Sequence, residues 1–180
     1  MRDFIKMIAE LFIVCGLAAA SLAVVNMVTK EPIARWDKVQ KENALRTIIA
    51  GADEFKELEA DKVWEARRNG QPAGCAFLAR VQGYSGAITL MFGVDAEGAI
   101  TGLQVLSHTE TPGLGAKITT PAFRDQFKNK RIGQIVLKKD DPAKGQIDAI
   151  TGATISSRAV AKAVGSTPYP PSQPQEGQTK

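Results

Sequence analysis

The sequence predicts an α+β protein with one transmembrane helix, followed by a single domain built from an antiparallel sheet and flanking helices. Residues 11–28 contain no charged side chain, and an uncharged apolar run of this length can cross a bilayer as a helix. Between residues 62 and 106, β-rich segments alternate with turn-forming residues, which indicates successive hairpins. Residues 158–164 have the composition of a helix.

Length and composition fit this organisation. The chain has 180 residues and a net charge of +4, which suits one globular domain with appendages. Lysine and arginine are scattered among acidic residues, and aromatic residues are few. A nucleic-acid-binding protein usually has a clustered basic face, so we expect no nucleic-acid partner. Cys15 lies in the apolar run and Cys75 in the globular part, so we expect no disulfide framework. With one histidine and no Cys-x-x-Cys motif, we expect no locally built zinc or iron–sulfur site.

The N-terminal apolar run has two interpretations. Ala18–Ala20 resembles the small-residue cleavage site of a signal peptide. The run continues to Val28, beyond the length that a signal peptide needs, which favours an uncleaved anchor. We therefore predict a short cytoplasmic N-terminus over 1–10 and a transmembrane helix over 11–28.

A juxtamembrane helical segment is predicted over 29–59. Within it, Ile33–Ile49 has an amphipathic pattern, and Pro32 suits the first turn of a helix. Trp36 fits either an aromatic anchor at the membrane interface or a contact with the core. The apolar side of this helix comprises Trp36, Val39, Ala44, Leu45, Ile48 and Ile49.

The predicted domain covers 60–165 and begins with hairpins. Turn signals at 69–72 and 95–98 each separate two strands. After the sheet we expect a short helix over Pro121–Lys130, a strand over Ile135–Leu137 and a turn, not a metal site, at Asp140–Pro142. The predicted strands are Lys62–Arg68, Ala73–Val81, Ile88–Val94 and Ala99–Leu106.

The start of the last helix is rich in hydroxyl groups. Ser156 or Ser157 is placed to cap it, by accepting from unpaired backbone N–H groups of the first turn. A helix start also favours anions, because free N–H donors and the positive end of the helix dipole point outward. On local chemistry alone, a plain capped helix is the commoner interpretation and a phosphate site the rarer one. Residues 166–180 are polar and rich in proline, so we predict a disordered tail.

Three segments resemble motifs of the FMN-binding domain family. Asp148–Thr154 reads Asp-Ala-Ile-Thr-Gly-Ala-Thr and resembles the flavinylation motif Asp-x-x-(Ser/Thr)-Gly-Ala-Thr. Glu110–Gly115 resembles the Glu-Thr-Pro-Gly-Leu-Gly loop of the same family, and Gly83–Gly86 resembles its Gly-Tyr-Gly-Gly segment, with Ser85 in place of a glycine. The family includes the G subunit of the Rnf electron transport complex and the C subunit of the sodium-pumping NADH:quinone reductase.

The resemblance implies FMN bound covalently to Thr154 through a phosphoester that a separate flavin transferase forms. Lys117 is the nearest basic residue to the loop and a candidate partner of the phosphate. The alternative structural roles are a solvated loop carboxylate for Glu110 and a core residue for Leu114. For His108, a structural hydrogen-bonding role is the commoner interpretation and a catalytic role the rarer one. The cofactor-binding residues expected in this way are Tyr84, Glu110, Thr111, Leu114, Gly115, Lys117, Asp148, Thr151, Gly152, Ala153, Thr154 and Ser156.

The function implied by the resemblance is that of an electron-carrying subunit in a membrane complex of the Rnf type, with other membrane subunits as partners. Such a complex couples electron flow between ferredoxin and NAD to movement of sodium ions or protons. The short chain favours this subunit over the C subunit of the sodium-pumping reductase. A membrane-tethered module that binds a phosphorylated ligand and a stand-alone extracytoplasmic flavoprotein reductase are the other interpretations.

The side of the membrane is ambiguous from charge. Basic residues flank both ends of the apolar run, with more of them on the side of the domain, and simple positive-inside counting would keep the domain in the cytoplasm. Large domains translocate largely regardless of such charge. The resemblance implies an inner-membrane protein with its flavin domain on the extracytoplasmic side.

Overall fold

The structure is a computed structural model that describes residues 2–132 and 134–169. Contacts divide the chain into two compact units, Met1–Gln40 and the chain from Lys41 onward. The elements are α1 (Arg2–Ile48), β1 (Glu54–Glu59), β2 (Val63–Arg68), β3 (Gln71–Gln82), β4 (Ala87–Asp95), β5 (Ile100–His108), α2 (Pro121–Arg124) and α3 (Thr154–Gly165), with 3-10 segments at Gly115–Thr119 and Asp125–Phe127.

The first unit is the N-terminal part of α1. Its apolar side chains from Phe4 to Val28 are exposed, and the helix contains an 18-residue window with a mean hydropathy of 2.4. By length and composition the helix can cross a membrane, in agreement with the predicted span. The predicted helix start near Pro32 is wrong, because α1 continues through Pro32 to Ile48.

Trp36 is 68% exposed. The alternative that it makes a core contact is therefore wrong, and an aromatic anchor remains the prediction for this side chain. Val39 of the predicted apolar side is also exposed, whereas the members nearer the helix end are buried. The apolar side of the helix is therefore exposed at Trp36 and Val39 and buried from Ala44 onward.

The domain is organised around one five-stranded sheet. The strands follow in the order β1-β2-β3-β4-β5, and every neighbouring pair is antiparallel. The predicted strands are confirmed as β2 to β5, each within a few residues of the expected bounds. The prediction of a helical segment over 29–59 is wrong for β1. Glu54–Glu59 is rich in glutamate and lies at the sheet edge, where its side chains are mostly exposed.

Both faces of the sheet are covered. On one face, side chains such as Phe77 and Phe92 pack against Val160 and Val164 of α3 and against the segment around Phe127. The other face is covered by the last turns of α1, whose buried side chains lie against Trp64, Ala66, Ala76 and Met91. β4 is buried on both faces for this reason, which matches its nearly continuous apolar sequence.

The chain between β5 and α3 is less regular than predicted. The expected helix Pro121–Lys130 is only α2 followed by the 3-10 segment Asp125–Phe127. Phe123 and Phe127 are both buried, with their rings edge to face at 5.4 Å. The expected strand Ile135–Leu137 is wrong, because only one parallel bridge forms there, between Leu137 and Ile147.

The segment after α3 remains packed as far as the structure describes it. The Tyr169 hydroxyl donates to the carbonyl of Asp95 at 2.6 Å, and its ring meets Phe77 edge to face at 6.5 Å. The predicted disorder is therefore wrong for residues 166–169. The ring of Tyr169 alone supplies enough apolar area to pack this short segment against the domain, although the segment as a whole is polar. Residues 170–180 of that prediction lie outside the described residues.

Candidate functional site

One end of the sheet gathers the loops that carry the motifs. The β3–β4 connection, residues 83–86, is closed by a hydrogen bond from the Gly83 N–H to the Gly86 carbonyl. In the β4–β5 ladder Ile88 pairs with His108, so the loop after β5 leaves from the same end. Hairpin register therefore brings together two loops that are far apart in sequence.

A cleft of about 670 Å³ opens between these loops and the N-terminal end of α3. Most of the predicted cofactor-binding residues line it. Its lining comprises Tyr84, Glu110, Thr111, Leu114, Gly115, Lys139, Gly152, Ala153, Thr154, Ile155 and Ser156.

Thr154 is the first residue of α3. The helix follows its N-cap residue Ala153, which has φ −135° and ψ 41° and makes no side-chain capping hydrogen bond. Gly152, with φ +78°, makes the preceding turn, in a conformation that favours glycine. Among the described residues no side chain caps the first-turn N–H groups, and the residues that carry them, Thr154 to Ser156, line the cleft, where an anion would be stabilised.

The predicted capping role of Ser156 or Ser157 is wrong, because both lie inside the first turn of α3. The Ser157 hydroxyl accepts from the Ile150 N–H at 3.0 Å and donates to the Ala153 carbonyl at 2.9 Å. The Ser157 side chain therefore joins residues 150–153, which precede the helix, to the first turn of α3 through these two hydrogen bonds.

Glu110 connects the three parts of the site. Its side chain is buried, with 4% of the residue exposed. One carboxylate oxygen accepts from the backbone N–H groups of Tyr84 and Ser85 at 2.8 and 3.1 Å, and the other accepts from the hydroxyl of Ser156. The solvated-carboxylate alternative is thus wrong: Glu110 joins the β3–β4 loop, its own loop and α3.

Gly115 permits this arrangement by being small. A Cβ atom at this position would lie 2.8 Å from an oxygen of Glu110 and 3.2 Å from the Ser156 hydroxyl. Any larger residue would displace the carboxylate that connects the loops.

The rim of the cleft is apolar and open. Tyr84 is 68%, Leu114 45% and Ile155 49% exposed. The alternative that Leu114 fills the core is therefore wrong. Exposed side chains of this size beside polar backbone groups suit a flat ring with one apolar face.

Lys139 was not predicted for the site, yet its ammonium nitrogen lies 3.3 Å from the Thr154 hydroxyl. Lys117, the predicted basic residue, is exposed and does not line the cleft. Proximity in sequence was a poor guide, because the chain folds back from residue 139 to the start of α3. The only sequence feature that could have indicated this role is the pair of lysines before the Asp140–Pro142 turn. Which of their side chains reaches the cleft depends on tertiary structure.

Asp148 and Thr151 lie beside the cleft and do not line it. The Asp148 carboxylate pairs with Lys138 at 2.7 Å, and its N–H donates to the Gln126 side chain at 2.7 Å. Thr151 is exposed. The structure therefore separates the predicted residues into those that face the cleft and those on the neighbouring outer surface.

Two further contacts set the local electrostatics. Arg158 donates from Nε to one oxygen of Asp140 at 2.7 Å and from a terminal nitrogen to the other. These hydrogen bonds hold the pKa of Asp140 below its usual value and raise the pKa of Arg158. The Nδ1 atom of His108 accepts from the Glu110 N–H at 3.2 Å, which is a structural role of the kind expected for this residue.

Comparison with known proteins identifies relatives over most of the chain. The model of the FMN-binding domain family matches residues 83–167. The G subunit of the proton-translocating ferredoxin:NAD(+) oxidoreductase complex of Clostridium ljungdahlii is 36% identical over 157 residues, covering 86% of this chain and 84% of that protein. The G subunit of an ion-translocating oxidoreductase complex of Methanosarcina acetivorans is 33% identical over 175 residues, covering 91% of this chain and 92% of that protein. A solved structure of the C subunit of the Na(+)-translocating NADH-quinone reductase from Parabacteroides distasonis has a TM-score of 0.49 and 30% identity, covering 58% of this chain and 57% of that one.

Proposed function

The chain belongs to the FMN-binding domain family, among the G subunits of ion-translocating oxidoreductase complexes, and from this membership we propose that it is an electron-carrying subunit of a membrane complex of the Rnf type. The resemblance inferred from its motifs is confirmed. In the proposal, other membrane subunits deliver electrons to the domain and remove them, in a complex that acts between ferredoxin and NAD.

The observation that carries the proposal is the position of Thr154. Its hydroxyl lies in the cleft, at the uncapped start of a helix, and within reach of a lysine. Each of these features stabilises a phosphate attached to that oxygen. An isolated threonine on a helix surface would have none of them.

The residues present fit FMN. The cleft volume lies within the range of small-molecule sites, and the cleft has a polar inner end at Thr154 and an apolar rim at Leu114 and Ile155. The phosphate would be held by the first-turn N–H groups of α3, and the ring would lie towards the rim and Tyr84. When bound, FMN supplies reversible acceptance of one or two electrons, while the protein binds, orients and electrostatically tunes it.

Attachment at Thr154 would require a separate flavin transferase. The Thr154 oxygen forms a bond to the phosphorus of the FMN half of FAD, the bond from that phosphorus to the AMP half breaks, and AMP leaves. The hydroxyl proton passes to a base of the transferase. The exposed side chains of Asp148 and Thr151 beside the cleft suit recognition by such an enzyme, which needs to read the motif from outside.

A tethered cofactor suits an open site. A covalent bond keeps the flavin at high effective concentration even where surface contacts alone would release it. An open rim in turn allows a partner subunit to approach the ring edge. The exposed apolar side chains of Tyr84 and Leu114 support this orientation of the ring.

We further propose that α1 anchors the chain in the cytoplasmic membrane and that the flavin domain lies on the extracytoplasmic side. The apolar window of α1 supports the anchor. Accessibility of an introduced cysteine in the domain, for example Lys144→Cys, to a membrane-impermeant thiol reagent in intact cells tests the side. Labelling only after cell disruption would show that the domain lies on the cytoplasmic side of the membrane.

Mass spectrometry of the denatured full-length chain, co-expressed with a flavin transferase and purified in detergent, tests the function. We expect covalent FMN on the wild type and none on Thr154→Ala. Thr119→Ala, which removes an exposed hydroxyl outside the cleft, is the matched control and should remain modified. Flavin on Thr154→Ala, or a wild type that stays unmodified, would refute the proposed attachment.

A further inference from the structure

We propose that the Lys139 side chain, together with the first-turn N–H groups of α3, binds the flavin phosphate on Thr154, and that residues 138–140 form a clamp that holds the acceptor segment beside Lys139. This inference rests on the proposed function, since it assumes a phosphoester at Thr154. It assigns a residue that none of the three family-like segments contains.

The clamp consists of three consecutive side chains that reach three parts of the acceptor segment. Lys138 pairs with Asp148 at 2.7 Å, before the acceptor. Lys139 reaches the acceptor oxygen of Thr154. Asp140 binds Arg158, one turn into α3, through two hydrogen bonds.

The loop that carries the clamp is closed on itself. Residues Leu137 and Ile147 form a bridge at its base, and the Lys138 N–H donates to the Ile147 carbonyl at 2.9 Å. At its tip, the Gly145 N–H donates to the Asp141 carbonyl at 2.7 Å, and the Asp141 side chain accepts from the Ala143 and Lys144 N–H groups. These hydrogen bonds restrict the backbone of the loop and so fix the positions from which the three side chains reach their partners.

The charge balance of the cleft points to Lys139. Among the described residues that line the cleft, Lys139 carries the positive charge and Glu110 the negative charge. Glu110 accepts hydrogen bonds from two loop N–H groups and Ser156. In the described part of the chain, the Lys139 ammonium group lies 3.3 Å from the neutral Thr154 hydroxyl and forms no salt bridge. The carboxylate that it influences electrostatically, Asp140, is bound by Arg158.

A phosphodiester supplies an anionic partner for this lysine. A phosphoester between Thr154 and FMN would carry one ionised oxygen, which the Lys139 ammonium group would bind. A hydrogen bond between two charged groups is stronger than one to a neutral hydroxyl. Lys139 therefore stabilises the modified protein more than the unmodified one, and it lowers the barrier to transfer in proportion to the charge that develops on the phosphate.

The experiment compares Lys139→Gln, Lys139→Arg and Lys144→Gln in the full-length chain in detergent micelles. Lys144 is an exposed lysine on the same loop that does not line the cleft, so it is the matched control for loss of one charge. Unmodified protein is incubated with purified flavin transferase, FAD and a divalent metal ion. The initial rate of flavin attachment and the midpoint of thermal unfolding before and after attachment are measured at low and high salt.

We expect Lys139→Gln to slow attachment about tenfold, the size of one charge-assisted hydrogen bond. Its unmodified form should unfold at the same temperature as the wild type, while the gain in unfolding temperature on attachment falls to about half or less. Lys139→Arg should retain the gain, and salt should reduce the gain in the wild type. A general structural role of Lys139 would instead lower the stability of both forms equally.

The outcomes separate the two proposals. A wild type that accepts no flavin would refute the proposed function and this inference with it. A wild type that is modified normally, together with Lys139→Gln that matches Lys144→Gln in both rate and thermal gain, would overturn only the role of Lys139. An equal loss of stability in both forms of Lys139→Gln would also overturn it, by showing that the lysine supports the fold and not the phosphate.

Discussion

The buried carboxylate of Glu110 accepts a hydrogen bond from the hydroxyl of Ser156, 46 positions later in the chain. Through this contact the loop after β5 is tied to the first turn of α3, the turn that carries Thr154. The opposite oxygen of the same carboxylate binds the β3–β4 loop. The acceptor hydroxyl and the rim of the cleft therefore keep their spacing through one side chain.

Glu110→Gln should destabilise the domain by about 1–3 kcal/mol, because hydrogen bonds to a charged group are stronger than those to a neutral amide. The amide oxygen can still accept from the Tyr84 and Ser85 N–H groups and the NH2 group can donate to the Ser156 hydroxyl oxygen, but all three hydrogen bonds lose the contribution of the charge. Urea unfolding of the full-length chain, followed by the fluorescence of the buried Trp64, measures the effect. Glu97→Gln, an exposed glutamate, is the control and should change stability by less than about 0.5 kcal/mol. Equal stabilities of the two variants would contradict the connecting role of Glu110.

The Asp140–Arg158 pair should make stability depend on acidity. Because the pKa of Asp140 is held below its usual value, the ionised pair stabilises the fold above the pKa of an unfolded aspartate, about 4. That stabilisation is lost as the pH falls through the lower pKa of the folded state. Thermal unfolding of the wild type and Asp140→Asn should therefore differ at pH 7 and converge below about pH 4. A difference that is constant with pH would show that the pair contributes by packing only.

Tyr169 should stabilise the domain from beyond α3. Its hydroxyl donates to a backbone carbonyl, so Tyr169→Phe should cost about 0.5–1.5 kcal/mol. Burial, followed by the nearby Cys75, Asp95 and Glu97, raises the pKa of Tyr169. The neutral phenol is thus favoured by the fold, and this stabilisation is present below the unfolded pKa of about 10 and lost as the pH rises through the folded value. Urea unfolding at pH 7 and pH 11 checks both statements, and an unchanged difference at high pH would contradict the second.

The sheet was predictable from local signals, and the motifs were predictable from a family resemblance. Alternating apolar residues and strong turn residues at 69–72 and 95–98 define β2 to β5, because hairpins form between neighbours in sequence. The loops at 83–86 and 110–115 were identified by their resemblance to segments of the FMN-binding domain family. Their placement then follows largely from hairpin register, which puts both loops at one end of the sheet.

The parts that were missed depend on contacts distant in sequence. Glu54–Glu59 has no apolar face strong enough to indicate a strand, and it pairs only because β2 offers an edge. Lys139 enters the cleft because a closed loop turns it towards α3, and no spacing rule relates residue 139 to Thr154. The open start of α3 was also missed, since Ser156 and Ser157 turn inward to Glu110, Ile150 and Ala153.

The last turn of α1 should be part of the folding unit of the domain. Ile48 is 2% exposed, and it packs with Leu45, Trp64 and Met91 on one face of the sheet. Ile48→Ala should cost about 2–4 kcal/mol, because the lost methyl groups leave a cavity that a sheet cannot fill. Val39→Ala removes apolar atoms from an exposed position of the same helix and should change domain stability by less than about 0.5 kcal/mol. Unfolding measured by Trp64 fluorescence compares the two, and equal effects would mean that the end of α1 is only a connection to the membrane and does not stabilise the sheet.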